Sequence, residues 1–273
     1  MSELEHRIDF LELISVYGAN PNGDPLCGNR PRTDSDGYGI ISDVCIKRKL
    51  RDRLHEMGEE ILITPPTDKG DSISRRTADI LKLPSEDMYS VACGKWYDVR
   101  AFGQIFTGAS RLAHSLNVTG AVTIHSAVSA DIINIEELPI TRCINSAAAG
   151  KRGTDTLGFR YRVKYGLYVL KGSVNVHYAR KNSFTAEDSQ KLKHALIRIF
   201  ENDSSASRPA GSMVAERLYW WEHGTSAGDI PAHVLFDSVM IRLKEGVITP
   251  HCFGDYETEY HPPENIRSEI IKL

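Results

Sequence analysis

The sequence predicts an α+β fold whose core follows the order strand, helix, strand, strand, helix, strand. Three observations support this prediction: several segments show a two-residue apolar period, two segments show helical apolar spacing, and these segments alternate along the chain. The order βαββαβ is the ferredoxin-like arrangement, which many unrelated proteins share. The chain has 273 residues, which is enough for a single elaborated domain, 1–273, with its own apolar core.

The first strand and the first helix open this core. Apolar side chains fall at alternate positions over 7–17, which predicts a strand, and a loop rich in Gly, Pro, Asn and Asp follows over 18–39. Ser42 is a helix-capping residue, and the helix is predicted to continue to Met57. One apolar stripe at helical spacing supports that helix and comprises Ile46, Leu50, Leu54 and Met57.

The segment 64–117 is less regular and is interpreted as an insertion, because no linker separates it from the core. Short helices are predicted within it over 74–82 and 98–116. The core then resumes with four predicted elements: a strand over 118–134, a strand over 165–178, a helix that opens at Thr185, and a last strand over 233–244.

Net charge is −3, yet the charge is unevenly distributed along the chain. Segment 142–181 holds nine Lys and Arg against one acidic residue, whereas 201–273 holds six against twelve. Such asymmetry indicates a face that binds a polyanion.

Other classes of protein find little support in the composition. The five cysteines are widely spaced and without a CxxC pair, so we expect reduced, unpaired thiols and no zinc site. A charged N-terminus and the lack of any run of about eighteen apolar residues predict a cytoplasmic protein without a membrane span. No cofactor or metal is expected.

Two groups of residues could bind a polyanion. The first is the loop and helix over 20–53, where Arg30 and Arg32 flank a proline and Lys47, Arg48 and Arg51 form a basic arc beside the apolar stripe. The alternative interpretation is an ordinary solvated helix face.

The second group is the segment 142–164, in which small residues separate the cations and predict an extended arm between two strands. Phe159 and Tyr161 alternate with Arg160 and Arg162, which offers rings for base stacking. A mobile surface loop without a ligand is the alternative. The remaining cations of this group are Arg142, Lys151, Arg152 and Lys164.

The sequence offers little for catalysis. Segment 145–152 fails the phosphate-loop pattern, and neither GxGxxG nor GxSxG occurs. Asp24, in the polar loop, is the one carboxylate retained as a possible nuclease residue. We therefore predict no catalytic residue and no enzyme activity, with Asp24 as the exception to test.

Together these segments resemble the Cascade backbone subunit of CRISPR systems, the Cas seven family, in its type I-C form. The resemblance extends from about Phe10 to Lys244 and departs at Pro209, where the family pattern leads us to expect Gly. It is carried by 20–25 (NPNGDP), 28–34 (GNRPRTD), 42–51 (SDVCIKRKLR), 98–103 (DVRAFG), 165–168 (YGLY) and 200–208 (FENDSSASR).

The resemblance implies a modified RNA-recognition (RRM-like) fold shaped like a hand. The βαββαβ core would be the palm, 64–117 a finger-like insertion, and 134–163 a thumb-like arm. Copies of such a subunit form a helical filament on the CRISPR RNA with other Cascade subunits, and leave the guide bases free to pair with target DNA. Lys47 and Arg51 match helix residues that hold the guide backbone in the family.

A set of basic and polar residues is therefore predicted to bind RNA through phosphates and shape, with little sequence preference. The set is Asn20, Asn22, Arg30, Arg32, Ser42, Lys47, Arg48, Arg51, Arg100, Arg142, Lys151, Arg152, Arg160, Arg162 and Lys164.

Two other readings remain open. A type III-like backbone subunit would cut target RNA with Asp24, and a metabolic α+β enzyme would bind no nucleic acid.

Overall fold

The computed structural model describes residues 2–106, 115–141 and 157–273. Its strands are β1 (Ile8–Ala19), β2 (Gly23–Asp24), β3 (Arg30–Pro31), β4 (Tyr38–Ile41), β5 (Gly103–Phe106), β6 (Leu116–Thr119), β7 (Val122–Ile124), β8 (Ala127–Ile132), β9 (Ile135–Thr141), β10 (Leu157–Val174), β11 (Met213–Glu222), β12 (Val239–Leu243), β13 (Tyr256–Tyr260) and β14 (Arg267–Lys272). Its α-helices are α1 (Asp43–Glu56), α2 (Ile73–Thr77), α3 (Ser85–Lys95), α4 (Tyr97–Phe102), α5 (Val176–Asn182), α6 (Ala186–Ile197) and α7 (Ala232–Asp237).

One large antiparallel sheet organises the chain. Its strand order is β14-β11-β1-β10-β8-β4, and β7 and β9 also pair with β10. β1 has a partner on both edges and is buried on both faces, which explains its nearly continuous apolar sequence. The predicted first strand and the α+β fold class are confirmed.

Two helices cover one face of the sheet. The apolar side of α1 and that of α6 share a core cluster with alternate residues of β1, such as Phe10 and Ile14. Both helices begin where the sequence predicts: the Ser42 hydroxyl accepts the N–H of Cys45, and Thr185 forms a capping box with Asp188.

The opposite face is covered by α7 and by the hairpin of β12 and β13. Their apolar side chains form a second cluster with the other side of β1, where Leu11 and Leu13 project. The two-residue alternation of β1 therefore supplies two cores from a single strand.

The last predicted strand, over 233–244, is confirmed only over 239–243, as β12, and it lies outside the main sheet. Residues 232–237 form α7, and β12 pairs only with β13 within the described residues. The strand that follows α6 in the main sheet is β11, whose Trp220 stacks on Phe10 at a centroid distance of 5.6 Å. The strand predicted over 118–134 is divided between β6, β7 and β8.

Two further predictions are corrected in length. The strand predicted over 165–178 begins earlier, at residue 157, and ends at Val174, because the side chain of Asn175 accepts the N–H of Tyr178 at 3.2 Å and starts α5. The helix predicted from Asp98 ends at Phe102. Gly103 then takes a φ of 80°, and a Cβ there would lie 2.5 Å from a backbone oxygen of β6.

The segment 64–117 contains α2, α3, α4 and β5 in its described part. These elements pack around an apolar cluster of their own, which includes Leu62, Met88 and Trp96. Residue Asp98 of α4 is almost fully buried and accepts the backbone N–H groups of Leu62 and Ile63. This carboxylate therefore fixes the chain at residues 62–63, just before the segment, to the start of α4.

Candidate nucleic-acid interface

The polar loop before α1 is held to that helix by side-chain amides. The side-chain oxygen of Asn22 accepts hydrogen bonds from the backbone N–H and the hydroxyl of Ser42, each at 2.9 Å. The side-chain amide of Asn20 donates to the backbone carbonyl of Asn29 at 2.7 Å. These three predicted RNA-binding residues therefore also shape the loop. The Asn20 carbonyl oxygen is buried without a partner among the described residues.

Arg30 projects from this loop toward the base of the predicted arm. Its guanidinium lies 4.6 Å from the centre of the Tyr161 ring and 3.6 Å from the Glu137 carboxylate. The Arg32 guanidinium lies 3.5 Å from the Asp24 carboxylate. The structure thus brings together the two groups of residues that the sequence predicts separately.

The base of the arm is a two-stranded ribbon of β9 and β10. Successive side chains of a strand point to opposite faces, so Phe159 and Tyr161 share one face and Arg160 and Arg162 share the other. The prediction that rings and cations interleave is correct along the chain, but they do not share a face. Phe159 is 58% exposed.

The cations of this ribbon are weakly neutralised. Arg162 and Lys164 share a single carboxylate, that of Glu136, at 2.8 and 3.5 Å. The hydrogen bond from Arg162 lowers the pKa of that carboxyl, which therefore stays charged. Arg160 is exposed and forms no ion pair with any described residue. We call this region the loop–arm surface. It carries Arg30, Phe159 and Tyr161 on one face of the ribbon and Arg160, Arg162 and Lys164 on the other, and its cations outnumber their carboxylate partners.

The predicted basic arc of α1 is more fully paired. Lys47 lies 3.0 Å from Asp43, and Arg48 pairs with Asp52, in both cases at the surface. Surface pairs of this kind contribute little, so their cations can exchange a carboxylate for a phosphate. Arg48 also donates to the backbone carbonyl of Ile63 at 3.2 Å, and contact of Lys47 and Arg48 with RNA stays a prediction.

Arg51 and Arg100 point into the protein. Arg51 lies 2.9 Å from the buried carboxylate of Asp98 and joins α1 to the inserted segment. Arg100 holds the carboxylate of Asp188 through two hydrogen bonds of 3.0 and 2.8 Å and lies 3.4 Å from Glu59. Their geometry gives both residues a structural role, and their contact with RNA stays a prediction.

Three predicted residues, Arg142, Lys151 and Arg152, lie outside the described residues.

One cluster near α1 was not predicted from the sequence. Asp203 pairs with the buried Lys49 and, at 3.2 Å, with Arg208, which brings the segment after α6 against α1. The backbone N–H of Asn20 also donates to Ser207 at 2.9 Å. The signal for this contact lies in 200–208, one of the segments that carry the resemblance.

The retained carboxylate, Asp24, has two structural contacts. It accepts the N–H of Leu26 at 3.1 Å, which starts a short 3₁₀ turn, and it faces Arg32. Within the described part of the chain, no three His, Cys, Asp or Glu side chains form a group that could bind a metal ion. No described helix has both the length and the apolar character that a bilayer crossing requires.

Comparison with known proteins agrees with this geometry. A family model described as CRISPR-associated protein Cas7 matches residues 6–261. A protein of Haloferax volcanii described as CRISPR-associated protein Cas7 is 29% identical over 235 residues, which is 76% of this chain and 68% of that protein.

The fold is also found among solved structures. A chain of a CRISPR RNA-guided surveillance complex, in a pre-nicking state, superposes with a TM-score of 0.54 at 13% identity, covering 79% of this chain and 78% of that one. The α+β fold is thus shared with a chain of a CRISPR RNA-guided surveillance complex. The chain belongs to the Cas7 family.

Proposed function

We propose that this chain is a guide-RNA-binding backbone subunit of a CRISPR RNA-guided surveillance complex, of the type I-C Cascade form. Copies of the chain would polymerise along the guide RNA in the cytoplasm, together with other Cascade subunits. The guide bases would stay exposed to pair with target DNA, in defence against viruses. Membership of the Cas7 family and the shared fold support this proposal.

The loop–arm surface is the observation that carries the proposal. Arg30, Arg162 and Lys164 face only two carboxylates between them, and Arg160 faces none in the described structure. A strip of weakly paired cations with aromatic rings on the same ribbon is typical of surfaces that bind a single nucleic-acid strand without reading its sequence. A subunit that must accept any guide needs such a surface, because base pairing supplies the specificity.

The hand-like division of the chain is part of the same proposal. The palm would be the RRM-like unit of β1, α1, β8, β10, α6 and β11, in which both helices lie on one face of the sheet. The segment 64–117 would form the fingers, and 134–163 the thumb that reaches the next copy. The loop–arm surface lies where the thumb would leave the palm.

A binding titration tests the RNA-binding step. Guide RNA is titrated by fluorescence anisotropy over a series of salt concentrations, with the double variant Arg160→Gln/Arg162→Gln and the control Arg267→Gln. Arg267 is 83% exposed and lies on β14, away from the arm. Each lost phosphate contact reduces the salt slope by about one.

We expect the double variant to show a smaller salt slope and a lower affinity, by the same amount for guides of unrelated sequence. The control should bind as the unchanged protein does. Equal slopes for all three proteins would refute the assignment of this surface.

The chain is proposed to be non-catalytic. The Asp24 carboxylate already supports the local turn and faces Arg32. We expect that a complementary RNA stays intact with guide-loaded protein and Mg²⁺. Cleavage that disappears in Asp24→Asn would instead establish the target-RNA nuclease.

A further inference from the structure

The outer edge of β12, in the hairpin of β12 and β13, is open. Within the described residues, β12 pairs with β13 alone. The hairpin lies on the sheet face opposite α1 and α6, with Val239 and Ile241 packed toward β1 and β10. An open edge offers unpaired N–H and C=O groups to another strand.

The register of the hairpin identifies these groups. The N–H of Lys244 donates to Asp255, and the N–H of His261 donates to Ser238, each at 2.9 Å. Hydrogen bonding alternates along an antiparallel ladder, so even-numbered residues of β12 bond to β13. Residues 239, 241 and 243 therefore direct their backbone groups to the open edge.

A groove runs beside this edge, between β12 and β8. Val239 and Ile241 line a cavity of about 540 Å³, together with Val128 on its β8 side. Leu243 lines a second cavity of about 520 Å³ with Ile132. Since β12 and β8 border both cavities, the two follow each other along what we call the β12 groove.

The groove is open to solvent and carries exposed aliphatic side chains among polar ones. Val128 is 41% exposed, Ile132 is 66% exposed, and Ile248, which lines the second cavity, is 93% exposed. Neighbouring exposed aliphatic side chains of this size mark interaction sites more often than isolated ones do.

One cation lies at the end of the groove. The Lys171 ammonium is 5.3 Å from the centre of the Phe236 ring and lines the first cavity. It forms no ion pair with the described residues, although Asp237 lines the same cavity. A carboxylate on an incoming segment would complement this charge.

We propose that the β12 groove binds an extended segment of a partner protein, which adds to the open edge as a third strand. Alternate apolar side chains of the segment fill the two cavities, and a carboxylate lies near Lys171. Main-chain hydrogen bonds supply affinity and the cavities select the side chains, as in other cases of strand addition. Because two paired strands have the same rise of roughly 3.3 Å per residue, a segment of about five residues would span the five residues of β12.

The test uses a defined probe, the capped peptide acetyl-Glu-Leu-Thr-Leu-Thr-Leu-Glu-amide, and a control peptide whose central Leu is Pro. Amide hydrogen exchange is followed by NMR with the whole chain at increasing peptide concentration. We expect exchange at 239, 241 and 243 to slow about tenfold at saturation, with 240 and 242 unchanged. The proline peptide should have no effect, because it cannot complete the ladder.

Matched variants distinguish binding in the groove from nonspecific binding of the peptide. Ile132→Glu places a charge in the groove, whereas Ile105→Glu changes an equally exposed residue, 64% exposed, on β5. We expect only Ile132→Glu to abolish the protection. Lys171→Gln should weaken binding of the acidic peptide, but not binding of a peptide in which both Glu residues are replaced by Gln.

Three results would overturn the proposal. The first is exchange at 239, 241 and 243 that no peptide slows. The second is slow exchange that depends on protein concentration without peptide, which would make a second copy the occupant. The third is slow exchange without peptide at every protein dilution, which would show that another part of the same chain already bonds to this edge.

Discussion

Lys47 and Arg51 lie one turn apart on α1 but contact different surroundings. Lys47 faces a surface carboxylate, while Arg51 is 14% exposed and faces Asp98, which is 1% exposed. Removing one partner of a buried ion pair leaves the other charge uncompensated. The two cations that the sequence assigns to one function therefore differ in what their loss would do.

We expect Arg51→Ala to lower the free energy of unfolding by about 3 kcal/mol, and Lys47→Ala to change it by less than about 0.5 kcal/mol. Urea unfolding monitored by tryptophan fluorescence measures both values. In RNA titrations Lys47→Ala should reduce the salt slope by about one. Similar stabilities for the two variants would contradict the structural role of Arg51.

Glu12 is the most unusual residue of the central strand. Its carboxyl lies on the helix-covered face of β1, is fully buried, and has no hydrogen-bond partner among the described residues. Burial raises the pKa of this carboxyl well above its usual range. Above about pH 4.3 the unfolded chain releases this proton while the folded chain retains it. The contribution of Glu12 to stability therefore falls as pH rises from that value toward the folded pKa.

Glu12→Leu should stabilise the protein by about 1–3 kcal/mol at pH 8, since it removes an unsatisfied buried group. This stabilisation should be smaller at pH 5, because keeping Glu12 protonated in the folded protein costs less free energy there than at pH 8. Unfolding in urea at the two pH values measures the difference, with the exposed Glu187→Leu as control. A gain that is larger at pH 5 would contradict the neutral buried state.

At the scale of elements, α6 shows how a sequence signal becomes a stable helix end. The Thr185 hydroxyl accepts the N–H of Asp188 at 3.2 Å, and the Asp188 carboxylate accepts the N–H of Thr185 at 2.9 Å. The same carboxylate binds Arg100 from α4. The cap therefore fixes both the start of α6 and its contact with the inserted segment.

We expect Thr185→Ala to lower the free energy of unfolding by about 1 kcal/mol, because one N–H at the helix start loses its acceptor. Thr185→Ser retains the hydroxyl and should recover most of that loss. Thermal unfolding compared across the three proteins measures both changes. Equal stability of the Ala and Ser variants would show that the hydroxyl is not needed.

Elements with a strong local pattern could be predicted from the sequence. Strand β1 and helices α1 and α6 were found from their period and capping residues. The end of β10 was missed because the segment after Asn175 alternates like a strand, although it forms α5. Residues 233–244 are apolar enough for a strand, but only packing against the sheet divides them into α7 and β12.

The contacts within the candidate site could not be predicted from the sequence, because they join residues that are far apart along the chain. The partner of Arg51 lies 47 residues away, and that of Lys49 lies 154 residues away. No local pattern contains such distances. Arg30 lies beside Tyr161 because of how the loop before α1 folds, which the order of residues along the chain does not reveal.

At the scale of the whole molecule, the proposed filament predicts growth with RNA length. The protein mixed with guide RNAs of two lengths, measured by light scattering, should form larger assemblies on the longer RNA. High salt should loosen them, because phosphate contacts release counterions. Arg160→Gln/Arg162→Gln should shift this loosening to lower salt. A monomer that ignores RNA at low salt, even with partner subunits present, would contradict the proposal.

The central position of β1 has a consequence for synthesis of the chain. β1 spans residues 8–19, yet its two partners, β10 and β11, are complete only at residues 174 and 222. A growing chain on the ribosome must therefore extend past residue 222 before this strand has both neighbours. Such distant pairing slows folding and leaves apolar edges open meanwhile. Nascent chains of this protein should depend on chaperones, and fragments that stop before β11 should aggregate.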